Sequence, residues 1–274
     1  MIPAAFDYVR AGSAEEAVSL LGQHGDDAKL LAGGHSLLPL MRLRLATPAV
    51  LVDIGRIGDL SYIRDAGDHI AIGALTRHHD VEFSDVLKEQ APIIPAATAK
   101  VGDPQVRHRG TIGGSIAHGD PASDLPSVLL AVRATLVAQG PNGTREIGVD
   151  DFFTGFLETA LEANEVLTEI RVPKAPDAGW SFQKFNRRAQ DWAIVGVACV
   201  RRNGRAGVGL VNMAATPVRA TAVEEAVAGG ASAADAAERA DQGTSPPTDL
   251  NGSAEYRHHL AKVLVRRALE EAGT

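Results

Sequence analysis

Thr111–Pro126 reads TIGGSIAHGDPASDLP. Gly113 and Gly114 stand between the hydroxyl residues Thr111 and Ser115, with Ile112 beside them, and a carboxylate, Asp124, closes the segment. A backbone without Cβ atoms lets amide groups approach an anion closely, and Ser or Thr hydroxyls add donors. A second glycine pair lies far upstream, in Ala32-Gly33-Gly34-His35-Ser36. One glycine pair alone is most simply a tight turn. Two pairs, each flanked by Ser or Thr and each following an apolar segment, point to one long ligand carrying a pyrophosphate. No Gly-Lys-Ser/Thr occurs, so neither is a Walker A loop, and Gly207-Val208-Gly209 lacks the third glycine of a dinucleotide fingerprint.

Outward from these segments the chain reads as α+β. Ser13 with Glu16 predicts a capping box opening a helix along Ala17, Leu20 and Leu21, stopped near Gly25. Ala28–Leu31 reads as a strand running into the first glycine pair, Leu37–Leu45 as a short helix or turn, and Ala49–Ile54 as a second strand. Tyr62–Arg64 and His69–Ala74 read as strands about a polar turn, Thr76 as the cap of a short helix, and Pro92–Gly102 as helical. The Gly110–Pro126 segment is taken as a loop, with Asp124 either capping a helix that starts at Leu125-Pro126 or accepting from a ligand hydroxyl. Asp120 suits a turn. Ser127–Val132 reads as a packing segment, Thr135–Gln139 as a strand entering a turn at Pro141-Asn142-Gly143, Asp151–Phe156 as a short helix, and Val166–Val172 as a strand. Pro173–Gly179 is the linker. Beyond it, strands at Trp180–Phe185, Ala193–Arg201 and Val208–Met213 precede helices at Ala220–Ala228, Ala231–Ala240 and Ser253–Ala272, the order of a sheet with helices on one face.

Composition narrows the function. The chain has 274 residues, is 45% hydrophobic and 22% charged, and carries a net charge of −7, which offers nucleic acid no electrostatic footprint. Its single cysteine, Cys199, lies in the apolar run AIVGVACV and cannot build a disulfide, a cysteine zinc site or an iron–sulfur cluster. The histidines match no metal-ligand spacing, so no metal is expected here. Trp192 stands just before a strand, beside Lys184, Arg187 and Arg188. It is a core or interface aromatic, or a ring that stacks on a planar cofactor. No signal-peptide pattern opens the chain and no apolar run is long enough to span a membrane, so a cytoplasmic protein is expected.

Three segments, KLLAGGHSLLPLMRLRL (Lys29–Leu45), QVRHRGTIGGSIAHGDPASDLP (Gln105–Pro126) and QKFNRRAQDWAIVGVA (Gln183–Ala198), resemble the flavin-binding medium subunit of molybdenum hydroxylases. That family includes aerobic carbon monoxide dehydrogenase and the flavin part of xanthine dehydrogenase; AHGDPASDLP is nearer the carbon monoxide dehydrogenase form. The resemblance implies an FAD-binding domain of the vanillyl-alcohol-oxidase type over residues 1–173, with subdomains of about 1–55 and 56–173. A C-terminal domain of three antiparallel strands with helices follows over 178–274. It implies that Ala32–Ser36 and Thr111–Ser115 contact the FAD pyrophosphate through backbone amides, that Asp124 lies on the adenosine side, and that Leu167 and Lys184 also contact the cofactor. Trp192 is placed beside the isoalloxazine, and no catalytic side chain is implied. Ser115 and His108 stand where the family often has asparagine.

The resemblance also implies a large partner subunit with molybdenum cofactor, a small partner with two [2Fe–2S] clusters, and a dimer of such heterotrimers. FAD passes electrons to a quinone or another acceptor. The site of work is the cytoplasm, or the inner face of the membrane reached through partners. Carbon monoxide is the first expected substrate of the complex, with xanthine-, aldehyde- or N-heterocycle-type oxidation as the alternative. A self-contained flavin oxidoreductase and a flavin-less assembly module are the readings of another class.

Overall fold

The computed structural model describes residues 2–273, so Met1 and Thr274, the outermost residues of the two expected domains, lie outside it. The chain begins with β1 (Asp7–Arg10), α1 (Ala14–His24), β2 (Ala28–Leu31), α2 (Leu37–Arg42) and β3 (Val50–Asp53). These form a parallel sheet in the order β1-β3-β2, with Tyr8 and Lys29 both opposite Leu51. Ser13 caps α1 by accepting from the Glu16 amide; Glu16 returns a carboxylate oxygen to the Gly12 amide at 2.7 Å, one residue before the position of an ideal capping box. β1 was not foreseen: its pairing partner lies far along the chain, and nothing local marks Asp7–Arg10 as a strand.

The middle of the chain holds β4 (Ile63–Asp65), β5 (His69–Gly73), α3 (His78–Phe83), α4 (Asp85–Gln90), α5 (Ile93–Thr98), α6 (Pro104–Arg109), α7 (Ile112–His118), α8 (Asp124–Val132), β6 (Thr135–Gly140), β7 (Gly143–Gly148), β8 (Phe153–Gly155), β9 (Glu158–Thr159) and β10 (Val166–Pro173). Five strands form an antiparallel sheet in the order β4-β5-β10-β6-β7. Its inner face packs Ile70, Ile72, Leu136 and Ile170 against Ile112 and Ile116 of α7 and Leu125, Val128 and Leu129 of α8. The helix expected over Asp151–Phe156 is instead a single turn at Val149–Asp151 followed by β8, because Phe152 is drawn fully into the core and β8 pairs with β9. Thr76 does not cap α3. Its hydroxyl bonds the Tyr62 carbonyl at 2.9 Å, and Arg77 occupies the cap position.

Two further expectations are corrected around the glycine-rich segment. Thr111–Ser115 is not a loop but the start of α7, with the Thr111 hydroxyl accepting from the Gly114 amide at 3.1 Å. Two glycines disfavour a helix by propensity, and tertiary packing overrides them: a Cβ on Gly113 would meet Ala74, so only glycine lets α7 lie against that strand end. Asp124 is the first residue of α8 rather than its cap, a position held by Ser123 without a side-chain bond.

The remainder comprises β11 (Gly179–Phe185), β12 (Val195–Arg202), β13 (Arg205–Val211), β14 (Val218–Arg219), α9 (Thr221–Ala228), α10 (Ala233–Ala237) and α11 (Ala254–Glu271). The three expected strands form the body of an antiparallel sheet, ordered β11-β12-β13-β14; the two-residue β14 adds a fourth at the edge. It escapes a sequence reading because two residues carry no alternation pattern. Val197, Cys199, Val208 and Leu210 face α11 through Ala261, Leu264, Val265 and Ala268. On the opposite face α8 lies directly on β13, where Cβ atoms at Gly207 and Gly209 would overlap the Ala131 and Ser127 carbonyls. The Ser127 hydroxyl donates to Leu210 O at 2.7 Å across this contact, so the C-terminal sheet is fixed to the helix that begins with Asp124.

Candidate functional site

A cleft of about 590 Å³ opens where these parts meet. Its walls come from the β2–α2 turn, the first turn of α7, the start of α8, the segment leading into β10, and the β11–β12 connection. Of the expected site residues, Ala32, Gly33, Gly34, His35, Ser36, Thr111, Gly113, Gly114, Ser115, Asp124, Leu167, Lys184 and Trp192 all line it. Ile112 does not. Its side chain is fully buried in the core beneath α7, on the same face as Ile116 one turn on.

The two glycine segments are not equivalent. Among the described residues, nothing accepts a hydrogen bond from the amides of Gly33, Gly34, His35 or Ser36. Gly34 holds φ +82°, a left-handed backbone of the kind found in turns whose successive amides bind anions. In the second segment the Thr111 amide is likewise without an acceptor among the described residues, but the next four amides are spent. Ile112 N donates to Thr76 O at 3.0 Å, Gly113 N to Ala74 O at 2.9 Å, Gly114 N to the Thr111 hydroxyl at 3.1 Å and Ser115 N to Thr111 O at 3.1 Å. The amides of Ile112–Ser115 thus already have acceptors within the chain, while Thr111 and Ser115 bring hydroxyls to the cleft lining.

Glycine here also serves to bring the two segments together. A Cβ on Gly33 would overlap the Arg109 carbonyl and come within 2.9 Å of Gly110 Cα, so the cradle rests backbone to backbone on the turn before α7. Behind Gly110 lies His78, buried, with neither ring nitrogen in a hydrogen bond among the described side chains. Burial, reinforced by the Arg107 guanidinium and His35, pushes its pKa down to about 4, so it is neutral at physiological pH. The sequence reading did not single out His78; its HH doublet gives no sign that one ring is buried.

Asp124 and Lys184 form one feature. Lys184 Nζ lies 2.7 Å from Asp124 Oδ2 and donates to Lys100 O at 2.9 Å, and the two side chains are 5–6% exposed. Burial raises the Asp124 pKa to about 6 against the opposing pull of Lys184, which leaves this carboxyl ionised at neutral pH. Asp124 Oδ1 has no partner among the described residues.

Leu167 reaches the cleft through a β-bulge. β10 pairs Leu167 with Ala138 but Glu169 with Val137, so Thr168 is the extra residue, and its hydroxyl bonds Val137 O at 3.1 Å. Trp192 stands at the cleft mouth, 57% exposed, in the β11–β12 connection. An exposed indole at such a place is not core packing. His118 lines the cleft, whereas His108 stacks on His79 at 4.1 Å and does not line it. Cys199 is buried in β12 with its pKa pushed up to about 12 by burial, an inert thiol.

The family model of the FAD binding domain in molybdopterin dehydrogenase matches residues 4–175 of this chain, and that of the CO dehydrogenase flavoprotein C-terminal domain matches 180–272. The chain belongs to the FAD-binding medium-subunit family of the molybdenum hydroxylases. It is 44% identical to the carbon monoxide dehydrogenase medium chain of Hydrogenophaga pseudoflava, over 99% of this chain and 98% of that one. Against 6-hydroxypseudooxynicotine dehydrogenase complex subunit alpha of Paenarthrobacter nicotinovorans the identity is 39%, over 99% and 96%. The solved carbon monoxide dehydrogenase from Hydrogenophaga pseudoflava superposes with a TM-score of 0.97 at 46% identity, covering 100% of this chain and 99% of that one. The protein is thus an FAD-dependent oxidoreductase subunit, and its α+β fold is that of its family. A cradle of four unspent amides suits a pyrophosphate, and the cleft falls within the range of cofactor pockets.

Proposed function

We propose that this chain is the FAD-carrying electron-transfer subunit of an aerobic carbon monoxide dehydrogenase, organised as domains 1–173 and 178–274. The observation that carries the reading is the run of unspent amides at Gly33–Ser36 in the wall of a cleft that Trp192 also lines. The amides bind the pyrophosphate, Thr111 and Ser115 add hydroxyl donors, and Leu167 packs against the cofactor through an apolar surface. The Asp124–Lys184 pair meets cofactor hydroxyls, and the Trp192 indole covers the planar ring from one side. Bound FAD supplies the redox chemistry, taking electrons from [2Fe–2S] clusters of a partner and passing them to a quinone or another acceptor. The side chains bind, orient and shield; none acts as acid or base.

Carbon monoxide is oxidised on a large molybdenum subunit, a small iron–sulfur subunit connects the two, and two such trimers assemble, at the cytoplasmic side of the cell. Support for this substrate is the higher identity to a carbon monoxide dehydrogenase medium chain than to the nicotine-pathway relative, 44% against 39%. The test is the visible absorption spectrum of the full chain, purified with co-expressed partners and reconstituted with FAD. Flavin bands, together with CO-dependent bleaching of those bands only when both partners are present, are the expected result. Turnover with NAD(P)H by the chain alone would defeat the subunit reading, and bleaching by an N-heterocycle but not by CO would replace the substrate.

A further inference from the structure

Among the described residues, the most deeply buried cation lies outside the cleft. Arg257, on α11, is fully buried, the largest of the wholly buried side chains. Burying a guanidinium is costly unless its donors are met, and a packed apolar residue fills such a site at no such cost. Two donor groups of Arg257 are met, one of them at the root of the Trp192 loop, while its Nε has no partner among the described residues. Nη1 donates to the Ile194 carbonyl, and Nη2 donates to Asp249 Oδ1 at 2.8 Å. Ile194 is the second residue after Trp192.

A second side chain converges on the same point. Asn212, at the end of β13, adopts φ +62°, a left-handed conformation that asparagine tolerates better than most residues. Its side-chain amide donates to the Ala193 carbonyl at 2.9 Å, and its backbone amide donates to Pro121 O, in the segment between α7 and α8, at 2.8 Å. The Ile194 amide, for its part, donates to Phe185 O at 2.7 Å and closes the β11–β12 connection. Three successive backbone groups directly after Trp192 are therefore held: the Ala193 carbonyl, the Ile194 amide and the Ile194 carbonyl. By contrast, among the described residues the rest of the connection makes only internal bonds, Asn186 to Arg188 O at 2.6 Å and Arg188 to Asp191 at 3.0 Å.

We infer that Arg257 and Asn212 are positioning residues for Trp192, fixing the C-terminal root of its loop so that the exposed indole stands over the cleft ready to stack on the bound cofactor's ring. The inference rests on the FAD reading above. Neither residue lines the cleft, so neither touches the cofactor; each acts through the backbone that carries the indole.

The full chain contains two tryptophans, so Trp180→Phe leaves Trp192 as the sole indole reporter. Added to that parent, FAD is expected to quench the tryptophan emission at saturation. Arg257→Met and Asn212→Gly, the latter keeping the left-handed backbone, are expected to bind FAD with a dissociation constant raised about tenfold. At saturation each is also expected to retain emission that the parent loses. Arg257→Lys, which keeps one donor for the Ile194 carbonyl, is expected to recover part of the quenching, a rescue that general destabilisation would not produce. Equal quenching at saturation in the parent and in every variant with native circular dichroism overturns the inference, even where affinity has fallen. Should Arg257→Met fail to fold, Asn212→Gly and Arg257→Lys decide the matter by the same readout. FAD that binds the parent without quenching refutes the placement of Trp192 and the inference with it while leaving the cradle intact. FAD that does not bind the parent refutes the FAD reading itself.

Discussion

Replacing Lys184 with methionine removes one half of a buried ion pair and separates stability from cofactor binding. The two charged atoms lie 2.7 Å apart with side-chain exposures of 6% and 5%, so water cannot compensate the survivor. Leaving one buried charge unpartnered costs about 3–5 kcal/mol. Part of that cost is avoided if Asp124 takes up a proton, since its pKa already stands at about 6 with the lysine present and rises further without it. Removing both charges, in Asp124→Leu/Lys184→Met, relieves both desolvation terms and is expected to be near neutral, although the Lys100 carbonyl loses its 2.9 Å donor. The single variant therefore unfolds at lower urea than the parent, the double variant recovers most of that loss, and both bind FAD more weakly. Urea titrations followed by circular dichroism, with FAD titrations on the same samples, measure the two quantities separately. A double variant that binds FAD as tightly as the parent would refute the reasoning, leaving the pair as a strut between α8 and β11 with no part in the site.

The remaining predictions concern the cradle, the pH dependence and the indole. Gly33→Ala drives a Cβ into the Arg109 carbonyl and is expected to cost about 1–3 kcal/mol and to weaken FAD binding, whereas Gly22→Ala, with open space around it inside α1, is expected to stabilise by about 0.5–1 kcal/mol and leave FAD affinity unchanged; thermal unfolding and FAD titration check both. The Asp124 pKa rises from 3.8 in the unfolded chain to about 6 in the fold, so the native state holds a proton that the unfolded chain has released. Stability is expected to fall as pH rises through that window, by about 3 kcal/mol from this group, and Asp124→Asn should remove that portion of the slope in urea midpoints measured across it. Trp192→Ala removes a side chain that is 57% exposed, so the unfolding midpoint is expected to stay within about 0.5 kcal/mol of the parent while FAD affinity falls and the flavin absorption band shifts.

Local chemistry made part of this molecule readable in advance. The Ser13–Glu16 cap, the Asn-Gly turn between β6 and β7 and the apolar strands β10 to β13 depend on neighbours in sequence, and they stand close to where the sequence places them. What escaped is set by distant partners. β1 exists because β3 pairs with it, and Phe152 leaves its expected helix for a core assembled from residues far away in the chain. The glycine segments show the distinction within the site itself. Both were legible as special, but Gly33–Ser36 keeps its four amides unspent, whereas Ile112–Ser115 folds into a capped helix because Thr76 and Ala74 accept its first amides. The Asp124–Lys184 contact, and the converging of Arg257 and Asn212 on the Trp192 loop, join residues whose spacing carries no signal at all.

That difference between the two segments is the most direct point of test. Amide hydrogen exchange in the full chain, followed residue by residue with and without FAD, reads it without recourse to activity. Slowed exchange at Gly33, Gly34, His35 and Ser36 on adding FAD, with little change at Ile112–Ser115, is the predicted result. Protection gained at Ile112–Ser115 while Gly33–Ser36 exchange as before would contradict the account.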